Sequence, residues 1–273
     1  MESVALVHVQ QDLLQSLEQG LDLIGGFDTL VSPVIIKPNI CTISDNTGYS
    51  VTHSLVIEAL LNIIFQKDPD ISVRIVESDS QSKWAKDAFR KFGYTELVIE
   101  YQKKHHDIDL INLSECSTET IPFDGDYFTN PELPDVLVNL GSVISVAQAK
   151  THYLTSITGV LKNLFGCLPR KDQRYYHPNI NEVIADLSRL IPIDLGVVDA
   201  RVGVLGWNGP QTKPLDKFIL GHKPVSVDAT LAHLMEKDPL QIQHLVQCQK
   251  YGLGTIFPQI LSDTGSDQND GAN

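Results

Sequence analysis

Residues 149–179 read AKTHYLTSITGVLKNLFGCLPRKDQRYYHPN. Five cations, Lys150, Lys162, Arg170, Lys171 and Arg174, stand there against a single carboxylate, Asp172. The whole chain carries a formal net charge of −13, so this local excess is out of character. A positive potential focused in one cleft concentrates an anionic ligand. The segment is therefore read as a pocket for a small carboxylate or phosphate. It also holds His152 and His177. Two imidazoles brought together can bind a divalent transition metal, and either can move a proton near neutral pH.

Residues 155–165 are expected to form a helix. Ile157, Val160, Leu161 and Leu164 then share the core-facing stripe. The opposite face carries Thr155, Thr158, Gly159, Lys162 and Asn163, small residues with one long cation. The amides at the start of that helix favour an anion. Two other stretches supply partners. In IIKPN, Pro38 ends an apolar run and leaves Lys37 and Asn39 at its rim. In VVDARVGVLGWNGP, Asp199 precedes a Gly-rich loop with Asn208. Lys150 and Lys162 are read as neutralising the anion, with Lys37 beside them. Asn39, Asn163 and Asn208 orient it. Asp199 and Asp228 are expected to fix an imidazole or a lysine.

These residues need a frame. Short Val- and Ile-rich runs at 4–9, 34–38, 73–77, 108–113, 143–147 and 194–200 read as strands buried on both faces. Helical patterns at 52–67, 82–93, 179–191 and 226–237 alternate with them, with Thr52 and Gly93 as expected caps. That order predicts an α/β fold, a mostly parallel central sheet flanked by helices. One domain is expected over 1–261, with a lobe division near 114–134, where Pro122, Pro131 and Pro134 cluster. The polar tail 262–273 reads as disordered.

Bulk properties exclude several classes. An acidic chain repels nucleic acid and anionic membranes. No apolar run reaches membrane-spanning length, and Glu2 stands where a signal peptide needs basic residues, so a cytoplasmic protein is expected. Cys41, Cys116, Cys167 and Cys248 lie far apart, which leaves no iron–sulfur cluster motif and no disulfide framework. They read as reduced thiols. There is no NAD or ATP motif and no Gly-x-Ser-x-Gly elbow. Oligomeric state is not legible. Three readings stay open: an enzyme acting on a small anion, a non-catalytic carrier of an anionic metabolite or cofactor, and a metal-free lyase or transferase using Lys162.

KPN after a strand, AKTHYLTSITGVLKNLFGCLP, VVDARVG with WNGP, and VSVDATLAHLM follow the order found in the domain of unknown function 362 family, which this chain resembles over about residues 33–256. Many relatives look like fusions to a ferredoxin-type module, which implies redox chemistry. This chain lacks that module, so the resemblance implies an external electron donor for any redox step. The segment from His152 to Lys162 is also similar to the lactate racemase family. That resemblance implies a metal-ligating His152, a Lys162 that anchors a nickel-bearing nucleotide cofactor, and an assisting His177. Its turn is richer in glycine than TGVLKN. Together the resemblances point to an oxidoreductase or an isomerase.

Overall fold

The computed structural model describes residues 2–27, 29–45, 47–138, 141–168, 170–209 and 211–263. In chain order the elements begin with β1 (Ser3–His8), α1 (Leu13–Leu23), β2 (Val34–Pro38), α2 (Ser54–Lys67) and β3 (Val73–Glu77). Then come α3 (Ala85–Lys91), α4 (Tyr94–Lys103), β4 (Ile108–Asn112), β5 (Thr118–Thr120), β6 (Glu132–Pro134) and β7 (Val143–His152). The chain continues with β8 (Ser156–Thr158), α5 (Val160–Asn163), α6 (Ile180–Leu190), β9 (Leu195–Leu205) and β10 (Gln211–Gly221). It closes with α7 (Pro224–Leu234), α8 (Gln243–Lys250) and β11 (Gln259–Ser262).

The central sheet runs β11-β1-β10-β9-β7-β2-β3-β4, with β8 folded back on β7. The pairs β1–β11, β2–β3, β3–β4, β2–β7 and β7–β9 are parallel. Strand β10 runs antiparallel to β1 and β9, and β8 antiparallel to β7. The fold is thus α/β with a mostly parallel sheet.

Alternate residues feed two cores. In β2, Ile35 faces one cluster while Val34 and Ile36 face the other; β7 divides likewise, Val143 and Ala147 against Ile144 and Val146. This is the period of two expected of strands covered on both sides. Helices α1 to α4 cover one face and α5 to α8 the other. The 114–134 stretch carries β5, which pairs with β6, and Leu133 packs into the same cluster as α6.

Three local expectations are corrected. Helix α2 is capped by His53, whose side chain accepts from the Leu55 amide; Thr52 Oγ1 instead accepts from the Asn39 amide and donates to the Val146 carbonyl. Residues 156–158 are strand, not helix, because Ser156 takes a left-handed φ of 62° and turns the chain back onto β7. The helix starts only at Val160. Ser262, counted with the polar tail, belongs to β11; residues 264–273 and Pro210 lie outside the described residues.

Candidate functional site

Parallel strands β2, β3, β7 and β9 end on one side of the sheet, where open α/β sheets place their ligands. A cleft of about 370 Å³ opens there. Lys37, Asn39, Lys150, His152, Lys162, Asn163 and His177 all line it. Asn208 is not among the lining residues, but its neighbour Trp207 is. Asp199 and Asp228 lie elsewhere.

One wall comes from β2 and β3. Lys37 Nζ lies 2.8 Å from Glu77 Oε2, and Lys83 Nζ lies 3.1 Å from Oε1. The amides of Ile40 and Ser78 also donate to this carboxylate. Burial would raise the Glu77 carboxyl, but the two ammonium groups hold it below the ordinary carboxylate value. Gly166 closes over the pair: a Cβ there would sit 3.0 Å from both Glu77 Oε1 and Lys37 Nζ. Lys37 is therefore bound to an internal partner rather than offered to a ligand. Neither Glu77 nor Lys83 was singled out from the sequence. The signal was a lone carboxylate closing the apolar run VRIVE, at the strand end beside Lys37.

Behind the cleft runs a network in which Lys150 is held by uncharged acceptors. Lys150 Nζ donates to Asn39 Oδ1 at 2.6 Å and to the Ser50 carbonyl at 2.8 Å, and lies 3.4 Å from Cys41 Sγ. Asn39 Nδ2 donates to Asn163 Oδ1, and Asn163 Nδ2 to the Lys37 carbonyl and Ser145 Oγ. These amides hold one another and set the wall's shape. Cys41, read from the sequence only as a reduced thiol, is also on the lining.

The facing wall comes from β7, β8 and α5. Lys162 is half-buried, and its ammonium lies 5.1 Å from the Phe165 ring centroid. Among the described residues it makes no ion pair. Burial, then the charge of Lys150, draws it down to about 8. Burial with Lys162 and Lys150 nearby pushes His152 down to about 3, so its ring is neutral at ordinary pH. His152 Nδ1 accepts from the Leu154 amide at 3.2 Å, which leaves the neutral ring's proton on Nε2. His177 is lowered as well, by burial first and then by Lys162. His244 of α8, fully buried, has no hydrogen-bond partner on either ring nitrogen among the described residues. Burial and Lys162 bring it to about 3.

The two aspartates serve other ends. Asp199 holds Arg201 in a bidentate pair at 2.7 and 2.9 Å, not an imidazole or lysine. Asp228 accepts the Val160 and Leu161 amides at 2.7 and 3.0 Å. The start of α5, expected to attract a ligand anion, thus carries the protein's own carboxylate. Burial raises that carboxyl to about 7. As for a metal, no group of three or more His, Cys, Asp or Glu among the described residues stands ready to hold one. The ammonium of Lys162 adds a repelling charge beside His152 and His177.

The fold and the cleft define an α/β protein with a cationic pocket at the carboxyl ends of parallel strands. The chain belongs to the family described as Domain of unknown function (DUF362), whose model matches residues 34–233. It is also 24% identical, over 277 residues, to a thylakoid-associated protein of Synechocystis sp.; the match covers 95% of this chain and 82% of that relative. No helix among the described residues is long and apolar enough to cross a membrane.

Proposed function

We propose that this protein is an enzyme, an oxidoreductase or isomerase, that binds a small carboxylate- or phosphate-bearing substrate in the cleft. One observation carries the reading: Lys162 presents an ammonium group to the cleft without a carboxylate partner among the described residues. The other buried lysines have internal acceptors. An anion seated at Lys162 gains a charge-assisted contact in a partly dry site.

Perturbed titrating groups gathered in a cleft support catalysis over mere carriage. Lys162, at about 8, gives and takes a proton close to physiological pH. His152, neutral with its proton on Nε2, donates a hydrogen bond to a substrate oxygen that gains negative charge. An isomerisation by proton transfer uses these groups directly. An oxidoreduction needs an electron donor from outside the chain. The net charge of −13 disfavours nucleic acid and anionic membranes as partners.

Calorimetric titration with inorganic phosphate and small carboxylates from pH 6 to 9 tests the reading. For the carboxylates, whose own charge is constant over this range, affinity should stay level up to about pH 8 and fall above it, as Lys162 loses its proton; inorganic phosphate, which itself gains charge near neutrality, is compared between variants at one pH. No break in carboxylate affinity is expected near 6.5, because His152 stays neutral there. Lys162→Met should weaken binding tenfold or more. Wild-type protein that ignores every anion, or a Lys162→Met variant that binds as wild type, overturns the proposal.

A further inference from the structure

The mouth of the cleft is aromatic. Tyr153 and Trp207 both line it, yet remain 74% and 38% exposed. They are fixed near one another: the Gly206 amide donates to Thr151 Oγ1 at 2.7 Å, which ties the Trp207 loop to the end of β7. Cys41 Sγ, deeper in the cleft, donates to the Trp207 carbonyl at 3.7 Å. Tyr153 lies on the His152 ring, centroids 4.9 Å apart and planes 20° off parallel. One face of the phenol is covered and the other is open to solvent.

The cations beyond the mouth also keep company with rings. Lys171 Nζ, on the lining, lies 3.0 Å from the Trp84 ring centroid, and Arg170 lies 3.8 Å from that of Tyr175. Among the described lining residues the only carboxylate is Glu77, and both its oxygens are taken by lysines. A polyol would find no free carboxylate to accept its hydroxyls. The exposed aliphatic residues nearby, Leu154 and Leu205, are not on the lining, so an acyl chain gains little there.

We infer that the cleft takes an anion carried on a planar aromatic ring, the ring stacking on Tyr153 and Trp207 and the acid group reaching Lys162. This rests on the anion-binding reading of the same cleft. Flat side chains at the mouth of a concave site recognise flat ligands through offset stacking, with little side-chain entropy to lose. The acid group is a carboxylate or a phosphate, and the test separates the two.

Matched pairs make the test: benzoate against cyclohexanecarboxylate, and phenyl phosphate against cyclohexyl phosphate, with inorganic phosphate as the ringless control. Each planar member should bind roughly five- to tenfold tighter than its saturated twin. The headgroup with the higher affinity names the acid. The chain has two tryptophans, Trp84 and Trp207. In a Trp84→Phe background, planar ligands should therefore quench the emission of Trp207, and inorganic phosphate should not. Trp207→Leu and Tyr153→Leu should each erode the preference for planar ligands and leave inorganic phosphate affinity unchanged. Equal binding of planar and saturated twins overturns the inference, as does a preference that survives both substitutions. If inorganic phosphate binds but rings add nothing, only this inference falls. If neither ligand class binds wild-type protein, the anion-binding reading falls with it.

Discussion

On the β2–β3 wall of the cleft, Lys37 and Lys83 grip both oxygens of Glu77, and all three side chains are nearly sealed from solvent. On the wall built by β7, β8 and α5, Lys162 meets the same space half-buried and without a carboxylate partner among the described residues. The same residue type does opposite work a short distance apart. A lysine with a buried counterion fixes two strand ends in place. A lysine held without one is drawn towards neutrality and is free to answer a ligand. Cation counts along a sequence cannot separate these two uses; the position of one glutamate does.

Breaking the first wall should have the largest effect. Glu77→Gln leaves two buried ammonium groups without a counter-charge and should destabilise the fold by about 3–5 kcal/mol, read as a lower urea midpoint. Leu161→Ala strikes the support of the second wall. The side chain is fully buried in the cluster beneath α5, and its loss should cost about 2–5 kcal/mol, with anion binding altered only in proportion to unfolding.

The next effect depends on pH. Asp228 rises from 3.8 to about 7 on folding. The native state therefore holds its proton more tightly than the unfolded chain, and the stabilisation from that proton is lost as pH rises from about 4 to about 7. The contribution is about 2–4 kcal/mol, and Asp228→Asn should flatten this part of a stability-against-pH curve. The smallest change in stability belongs to Lys162→Met, within about 0.5 kcal/mol of wild type. Removal of a partly desolvated ammonium takes away a penalty along with a charge, and the long apolar stem remains. A large drop in its melting temperature would erase the distinction between the two walls.

Much of the frame was legible because buried parallel strands announce themselves as unbroken Val and Ile runs. The six expected strands correspond to β1, β2, β3, β4, β7 and β9. Strand β10 was not, because its first half is exposed and polar, with Pro214 beside a register shift. The stretch 155–158 misled for another reason. Its apolar positions fit a helix, but Ser156 at positive φ turns the chain back onto β7, and Gly159 is still extended before α5 starts. The cleft's basic and imidazole residues were readable from their crowding. The roles of Asp199, Asp228 and Asn208 were not, since each depends on what lies across the fold: Arg201 for the first, two amides for the second, and a turn that gives the lining to Trp207 for the third.

Asp228 and Gly159 occupy adjoining space so tightly that a Cβ on the glycine would fall 2.0 Å from a carboxylate oxygen. The two positions, 69 residues apart in the chain, therefore form a lock with one key. A side chain cannot enter at 159 while the carboxylate stays, and the carboxylate cannot leave without stripping two helix amides of their acceptor. A descendant of this chain can gain a side chain at 159 only if residue 228 changes with it. The start of the helix that carries Lys162 is thus guarded against the single substitutions by which most surfaces drift.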